Sequence, residues 1–193
     1  MSNLGKISFS LAGQLSRVYS FKSDDGSSRF AASVDFWGSS VTVFVSPDVF
    51  SSLQPLAGSA DVRVLGYIVK DKSGGFRLQA LAVDYPGCEN WSDVQPAELA
   101  AGVQFTGTCR VKTEPRRFKR RDGSDDVALD CDLFGSSVTF SGFSPSLVEG
   151  LTTAQLIQVN GTAEPITFRG ADGKENQNFR LHLLTVRKLR AKE

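Results

Sequence analysis

The sequence predicts an all-β protein with short helices, built from two copies of one unit. Residues 76–83 read FRLQALAV and residues 179–186 read FRLHLLTV, so that five of eight positions are identical at an offset of 103 residues. Residues 35–42 read DFWGSSVT and residues 132–139 read DLFGSSVT, at an offset of 97 residues. In both copies apolar residues alternate with polar ones along short segments, which is the period of a half-buried strand.

Shorter matches keep the same order along the chain. Phe21-Lys22 recurs as Phe118-Lys119, Ser46-Pro47 recurs as Ser144-Pro145, and Val64-x-Gly66 recurs as Val159-x-Gly161 at an offset of 95 residues. A repeat of this kind decides the architecture, and we interpret it as a duplicated unit of about 85 residues. We expect residues 1–85 to form a first domain, residues 86–101 a linker and residues 102–193 a second domain.

The first copy reads as three strands, a short helix and two further strands. Serine before proline is a helix-start signal, and Ser46-Pro47 therefore begins the helix. Turn-forming residues such as Ser23–Ser28 and Asp71–Gly75 separate the strands. The predicted strands are residues 6–15, 30–36, 41–45, 60–70 and 76–83.

The second copy repeats this order. Its predicted strands are residues 103–111, 127–133, 138–140, 156–161 and 179–186, with a helix at residues 144–150. Residues 17–22 and 114–121 are assigned to the loop between the first and second strands of each copy.

This order resembles that of the oligonucleotide/oligosaccharide-binding fold (OB-fold), a five-stranded, partly open barrel. The resemblance is one of element order and implies two tandem five-stranded OB-fold barrels. A β-sandwich or jelly roll, as in a viral capsid or tail protein, is the competing all-β architecture. It needs more strands per core and rarely carries a helix at this place in each repeat.

Composition and motifs argue against several classes of protein. No apolar run reaches the length of about 18 to 20 residues that a membrane span needs. The N-terminal segment MSNLGKISFS has no secretion signal pattern, and we expect a cytoplasmic protein. The three cysteines, Cys88, Cys109 and Cys131, lack metal-site spacing and are expected to be small buried thiols.

Catalytic patterns are absent from the sequence. The single histidine, His182, stands where the other copy has Gln79, so it is expected to be a strand residue rather than a general base. No nucleophile, phosphate-loop or metalloprotease motif occurs. We therefore expect a protein that is not an enzyme and needs no cofactor or metal.

Aromatic residues recur where an OB-fold would present its binding face. Trp37 and Phe134 occupy equivalent positions directly before the shared Gly-Ser-Ser, and alternation along the second strand points them outward. Such rings are stacking platforms for the bases of a single strand. The alternative is that both pack against the linker or the partner domain, because large aromatic residues are rarely fully exposed. Phe44 on the third strand is a weaker candidate.

Basic residues are concentrated in the second copy. Residues 1–99 carry a net charge of −2 and residues 100–193 a net charge of +3. The segment RRFKRR supplies Arg116, Arg117, Phe118, Lys119, Arg120 and Arg121, and the first copy has Tyr19, Phe21 and Lys22 at the corresponding place. Cations neutralise phosphates and release counterions, while an interleaved ring can stack on a base. The loops between the fourth and fifth strands add Lys72, Arg77, Arg169, Lys174 and Arg180.

Together these features resemble a single-stranded-DNA-binding protein of the phage or plasmid type, with two OB-folds in one chain. The implied function is binding of single-stranded DNA with little sequence preference, in replication, recombination or repair. The C-terminal segment is basic, which departs from the acidic tail of housekeeping single-strand binding proteins. RNA binding, a structural role in a virion or tail, and homo-oligomer formation remain open.

Overall fold

The computed structural model describes residues 7–23, 25–58, 60–70, 75–89, 91–92, 94–120, 122–133, 136–169, 173 and 175–189. The chain is mostly β-strand with a few short helices. Its described part contains no helix with the length and apolar character needed to cross a membrane.

Five strands of the first half close into a barrel. The strands are β1 (Ile7–Lys22), β2 (Ser28–Phe36), β3 (Ser39–Val45), β4 (Asp61–Lys70) and β5 (Phe76–Asp84). They are neighbours in the order β2-β3-β5-β4-β1, and an additional antiparallel pairing of β1 with β2 closes the ring. The β3–β5 pairing is parallel and short, at Val43↔Leu78 and Phe44↔Gln79.

Alternating apolar residues fill this barrel. Along β4, Val62, Val64 and Ile68 are buried, and Leu15 of β1 and Leu78 of β5 are also fully buried. Each strand presents one face to this interior because successive side chains point to opposite faces. The core of the barrel therefore consists of residues at alternating strand positions, as strand periodicity leads one to expect.

A short helix, α1 (Pro47–Leu53), follows β3. The Ser46 side chain accepts a hydrogen bond from the Val49 N–H at 3.3 Å, which caps the helix N-terminus as expected from its sequence. The helix buries Leu53 and places the Phe50 ring 4.8 Å from that of Phe30 on β2. A single 3-10 turn (Gln54–Leu56) extends it.

The segment predicted as a linker contains a helix, α2 (Pro96–Ala101). Gln95 and Glu98 form a reciprocal capping box at its start. Arg63 of β4 donates to both carboxylate oxygens of Glu98, at 2.8 and 3.1 Å. Residues 8–103 and 165–179 form one compact unit, which includes this helix.

Six strands make up the rest of the described chain: β6 (Val103–Val111), β7 (Arg116–Lys119), β8 (Asp125–Leu133), β9 (Ser136–Ser141), β10 (Leu156–Arg169) and β11 (Glu175–Lys188). They are neighbours in the order β6-β10-β11-β9-β8-β7, with an additional β6–β8 pairing. Residues 104–164 and 180–189 belong to a second compact unit, whose buried residues include Leu129, Phe140 and Ile157.

Two cysteines lie in this second core. Cys109 and Cys131 are fully buried free thiols. A hydrogen bond with Cys109, together with burial, raises the pKa of the Cys131 thiol well above its usual range. Cys131 is therefore not a reactive thiolate at neutral pH.

The structure corrects several predicted boundaries. Residues 17–22 belong to β1 and residues 116–119 form β7, so the predicted first loops are strands, because each continues to pair with the next strand. The predicted helix at residues 144–150 is a 3-10 turn (Pro145–Val148), since the Ser144 hydroxyl contacts Ser146 and caps no backbone N–H. β10 and β11 extend well beyond the predicted residues 156–161 and 179–186.

Candidate nucleic-acid interface

Aromatic side chains form a row across the outer face of the first barrel. Tyr19 of β1 pairs with Ala31 of β2, and Ala31 pairs with Phe44 of β3, so the three residues share one face. Ala31 is fully buried although it lies on this outer face, because a ring flanks it on each side. The Phe21 ring is 6.2 Å from that of Tyr19 and 6.1 Å from that of Phe44. We call Tyr19, Phe21 and Phe44 the aromatic cluster.

A cation lies on this cluster. The guanidinium carbon of Arg77, on β5, is 5.4 Å from the centre of the Phe44 ring. Its Nε is buried and has no hydrogen-bond partner among the described residues. Arg77 forms no ion pair within 4 Å in the described part of the chain. Its guanidinium is stabilised by a cation–π contact with the Phe44 ring. The structure thus brings together four predicted site residues: Tyr19, Phe21, Phe44 and Arg77.

Trp37 lies in the turn between β2 and β3 and not on the strand itself. It is 75% exposed and has a φ of 40°, followed by Gly38 with a φ of 75°. Two positive φ values in a two-residue hairpin loop match the twist of the strands, and Asn-Gly is the sequence such loops favour. The positive φ strains the backbone of Trp37. Packing of the ring does not compensate for this strain, because the ring is mostly exposed to solvent. Its outward direction was predicted; its place in the turn was not.

The basic segment of the second unit is largely paired with carboxylates. Arg116 contacts Asp130 at 2.8 Å, Lys119 contacts Asp125 at 3.2 Å and Arg120 contacts Asp126 at 2.6 Å. These pairs form because β7 and β8 are antiparallel neighbours, with Lys119 opposite Asp125. Arg117 is exposed and has no ion pair among the described residues, and Phe118 is 43% exposed beside it.

Two of these carboxylates, those of Asp126 and Asp130, have lowered pKa values and are ionised more readily than usual. Burial opposes ionisation of Asp126, but hydrogen bonds from Arg120 and from the Val127 and Gly142 N–H groups outweigh it and hold its pKa below the ordinary value. The pKa of Asp130 is also lowered, because hydrogen bonds from Thr139, Arg116 and Thr113 and the charge of Arg116 exceed the effect of burial. The neighbouring carboxylates of β8 therefore neutralise part of the positive charge of this segment.

The remaining predicted residues are dispersed. Lys22 and Arg169 are exposed near the ends of their strands. Arg180 contacts Glu164 at 3.7 Å, and the same carboxylate lies 2.9 Å from His182 Nε2. Four predicted positions lie outside the described residues: Lys72, Arg121, Phe134 and Lys174.

Sequence reasoning missed a groove beside the aromatic cluster. It has a volume of about 260 Å³ and is lined by Thr42, Phe44, Phe76, Arg77, Glu175, Gln177 and Phe179. Gln177 accepts a hydrogen bond from the Thr42 N–H at 3.0 Å and donates to the Ser40 carbonyl at 2.9 Å. A signal was present, because the repeat offset rises from 95 to 103 residues between the fourth and fifth predicted strands. The hairpin of β10 and β11 is thus longer than that of β4 and β5, and the first residues of β11 supply this wall.

No cluster of three or more metal-ligating side chains occurs among the described residues.

No protein-family model matches the sequence, and no curated protein matches it.

Similarity to solved structures shows the fold. The wild-type single-stranded DNA binding protein from Thermus aquaticus has a TM-score of 0.64 at 13% identity, over 97% of this chain and 94% of that chain. A deletion mutant of the Thermus aquaticus protein gives a TM-score of 0.62 at 12% identity, over 97% of this chain and 96% of that chain. At these identities the likeness concerns architecture alone. The chain has the OB-like barrel fold of these single-stranded DNA binding proteins.

Proposed function

We propose that this protein binds single-stranded DNA as a non-enzymatic accessory in replication, recombination or repair. The observation that carries the proposal is the aromatic cluster with Arg77 on the outer face of the first barrel. Aromatic platforms combined with cations are the means by which OB-folds hold single strands. The fold shared with single-stranded DNA binding proteins supports this choice of ligand.

In this proposal the bases stack on the aromatic cluster and on Trp37. Each stacked base contributes about 1–3 kcal/mol and is tolerant of sequence. Arg77 supplies positive charge next to the rings, where it contacts base edges without first leaving a carboxylate partner. An exposed strained tryptophan fits a residue retained for contact with a ligand.

The strands of the second unit form a second OB-fold barrel in this proposal. Their pairing order, β6-β10-β11-β9-β8, parallels the β1-β4-β5-β3-β2 order of the first barrel. Arg117 and Phe118 then form a weaker second site. Two sites in one chain raise the effective concentration of the strand at each, so that avidity exceeds either affinity. The proposed setting is a phage or plasmid replication system.

The test measures the affinity of a labelled dT strand by fluorescence anisotropy at roughly 50 and 200 mM salt. Replacing Tyr19, Phe21 and Phe44 by alanine is expected to weaken binding by more than about tenfold, given 1–3 kcal/mol per stacked base. The matched control is Leu65→Ala with Leu81→Ala, which removes exposed apolar side chains from β4 and β5 of the same barrel.

The control is expected to bind like the wild type. Equal affinity of the triple variant and the wild type would refute a role for the aromatic cluster. Competition between a dU strand and an rU strand of the same length then decides between the two sugars. Tighter binding of the RNA strand would identify RNA, and not DNA, as the ligand.

A further inference from the structure

We propose that the groove beside the aromatic cluster holds one unpaired guanine base. This inference rests on the proposed single-strand binding and adds a base preference at one position of the bound strand. It follows from how the groove is built, from the two charged groups that line it and from its size.

The wall of the groove is held by side-chain amides that replace backbone pairing. Gln177 satisfies the Thr42 N–H and the Ser40 carbonyl of β3. Asn178 Oδ1 accepts from the Phe76 N–H of β5 at 2.8 Å. The β3–β5 pairing is confined to Val43↔Leu78 and Phe44↔Gln79, so these two amides bind the strands just beyond it. The groove is thus a fixed feature of the compact unit containing residues 8–103 and 165–179.

Two oppositely charged side chains line this groove without pairing to any described residue. Arg77 forms a cation–π contact with the Phe44 ring, and Glu175 is an exposed residue of β11. Neither forms a salt bridge within 4 Å in the described part of the chain. A ligand that offers acceptors to the guanidinium and donors to the carboxylate would satisfy both.

Guanine offers this pattern. Its N7 and O6 are adjacent acceptors, which arginine contacts with two donors. Its N1–H and N2–H₂ are adjacent donors, which a carboxylate accepts. No other DNA base has paired acceptors next to paired donors, and thymine has a single N–H donor.

The size and lining of the groove fit a single base. Its volume of about 260 Å³ is below the roughly 300–1,000 Å³ of sites for drug-sized ligands. Phe76 and Phe179 join Phe44 in the lining and provide apolar surface for a planar ring. A phosphate would be disfavoured there by the Glu175 carboxylate.

The experiment uses the whole chain and the shortest dT strand that it binds, with the central base replaced in turn by dG, dC, dA, 7-deaza-dG or deoxyinosine. The dG strand is expected to bind at least about fivefold more tightly than all-dT, as one good bidentate contact provides. Loss of N7 in 7-deaza-dG removes an acceptor for Arg77. Loss of the 2-amino group in deoxyinosine removes a donor to Glu175. Each should remove part of the gain.

Glu175→Gln is expected to reduce the dG preference by about as much as deoxyinosine does, because Arg77 still contacts N7 and O6 of the base. The matched control is Asp61→Asn, which also removes one negative charge. Asp61 is an exposed residue at the start of β4 and does not line the groove. This control variant should retain the preference in full.

The outcomes separate the two proposals. Binding of all-dT with no gain for dG, or an equal gain for dC, would overturn the guanine site and leave single-strand binding intact. Failure to bind any of the strands would overturn the proposed function itself.

Discussion

The Gln177 carboxamide forms hydrogen bonds with strand β3 as a neighbouring strand would. It accepts from the Thr42 N–H at 3.0 Å and donates to the Ser40 carbonyl at 2.9 Å. Two backbone groups that the short β3–β5 pairing leaves free are thereby satisfied.

Gln177→Ala should lower the free energy of unfolding by about 1–2 kcal/mol, because it leaves the part-buried Thr42 N–H without its partner. Urea unfolding measures this difference. Gln104→Ala, at an exposed position of β6, is the control and should change stability by less than about 0.5 kcal/mol. Equal effects of both changes would show that the amide bridge adds no stability.

Asp126 should make stability depend on pH in the acid range. Its pKa in the folded protein is held below the ordinary value of 3.8, so its contribution is complete above pH 3.8 and is lost as pH falls through the folded-state pKa. Asp126→Asn should therefore flatten the loss of stability measured by urea unfolding between neutral pH and pH 3. Asp61→Asn, at an exposed site, is the control. An unchanged acid dependence in Asp126→Asn would contradict the assignment.

Trp37→Asn should separate stability from binding. Asparagine tolerates positive φ and suits a loop before glycine, so the variant should gain up to about 1 kcal/mol in the free energy of unfolding. Loss of the ring should weaken dT binding by about 5- to 150-fold, corresponding to 1–3 kcal/mol per stacked base. Anisotropy and urea unfolding on the same preparation measure both. Trp91→Phe is the control, and a parallel fall in both quantities would favour a structural role for Trp37.

Arg117 and Lys119 should differ in their effect on the salt dependence of binding. Arg117 has no ion pair among the described residues, whereas Lys119 lies 3.2 Å from Asp125. Arg117→Ala should reduce the slope of log affinity against log salt by about 0.7, the value for one phosphate contact on a single strand. Lys119→Ala should reduce it by less.

Asp125→Asn is the complementary change, because it removes the carboxylate that competes for Lys119. It should strengthen dT binding at low salt. Equal slopes for the wild type and all three variants would exclude this segment from the interface.

Local signals in the sequence were enough for the central parts of most strands and for one helix. Alternation placed Val62, Val64 and Ile68 in the interior because strand side chains have a period of two. Ser46 before Pro47 marked the start of α1 because capping is a contact within four residues. The same reasoning failed at residues 144–150, where the serine bonds to another side chain and the segment stays a 3-10 turn.

Charge in the candidate site could not be derived from composition. RRFKRR reads as a cationic segment, but β7 lies beside β8 and places Arg116 next to Asp130, fourteen residues away. The pairing depends on strand register, and register is a property of the assembled sheet.

The sequence by itself determined the matching blocks in its two halves, the alternating core and the aromatic and basic residue types at matching positions, because each of these is a local pattern or a self-comparison. The tertiary structure decided which of them meet. Tyr19, Ala31 and Phe44 form a row only when three strands are in register, and the extra residues of the second hairpin become a groove wall only when Gln177 and Asn178 reach β3 and β5. Contacts between residues far apart in the chain depend on the folded backbone, which no local pattern specifies.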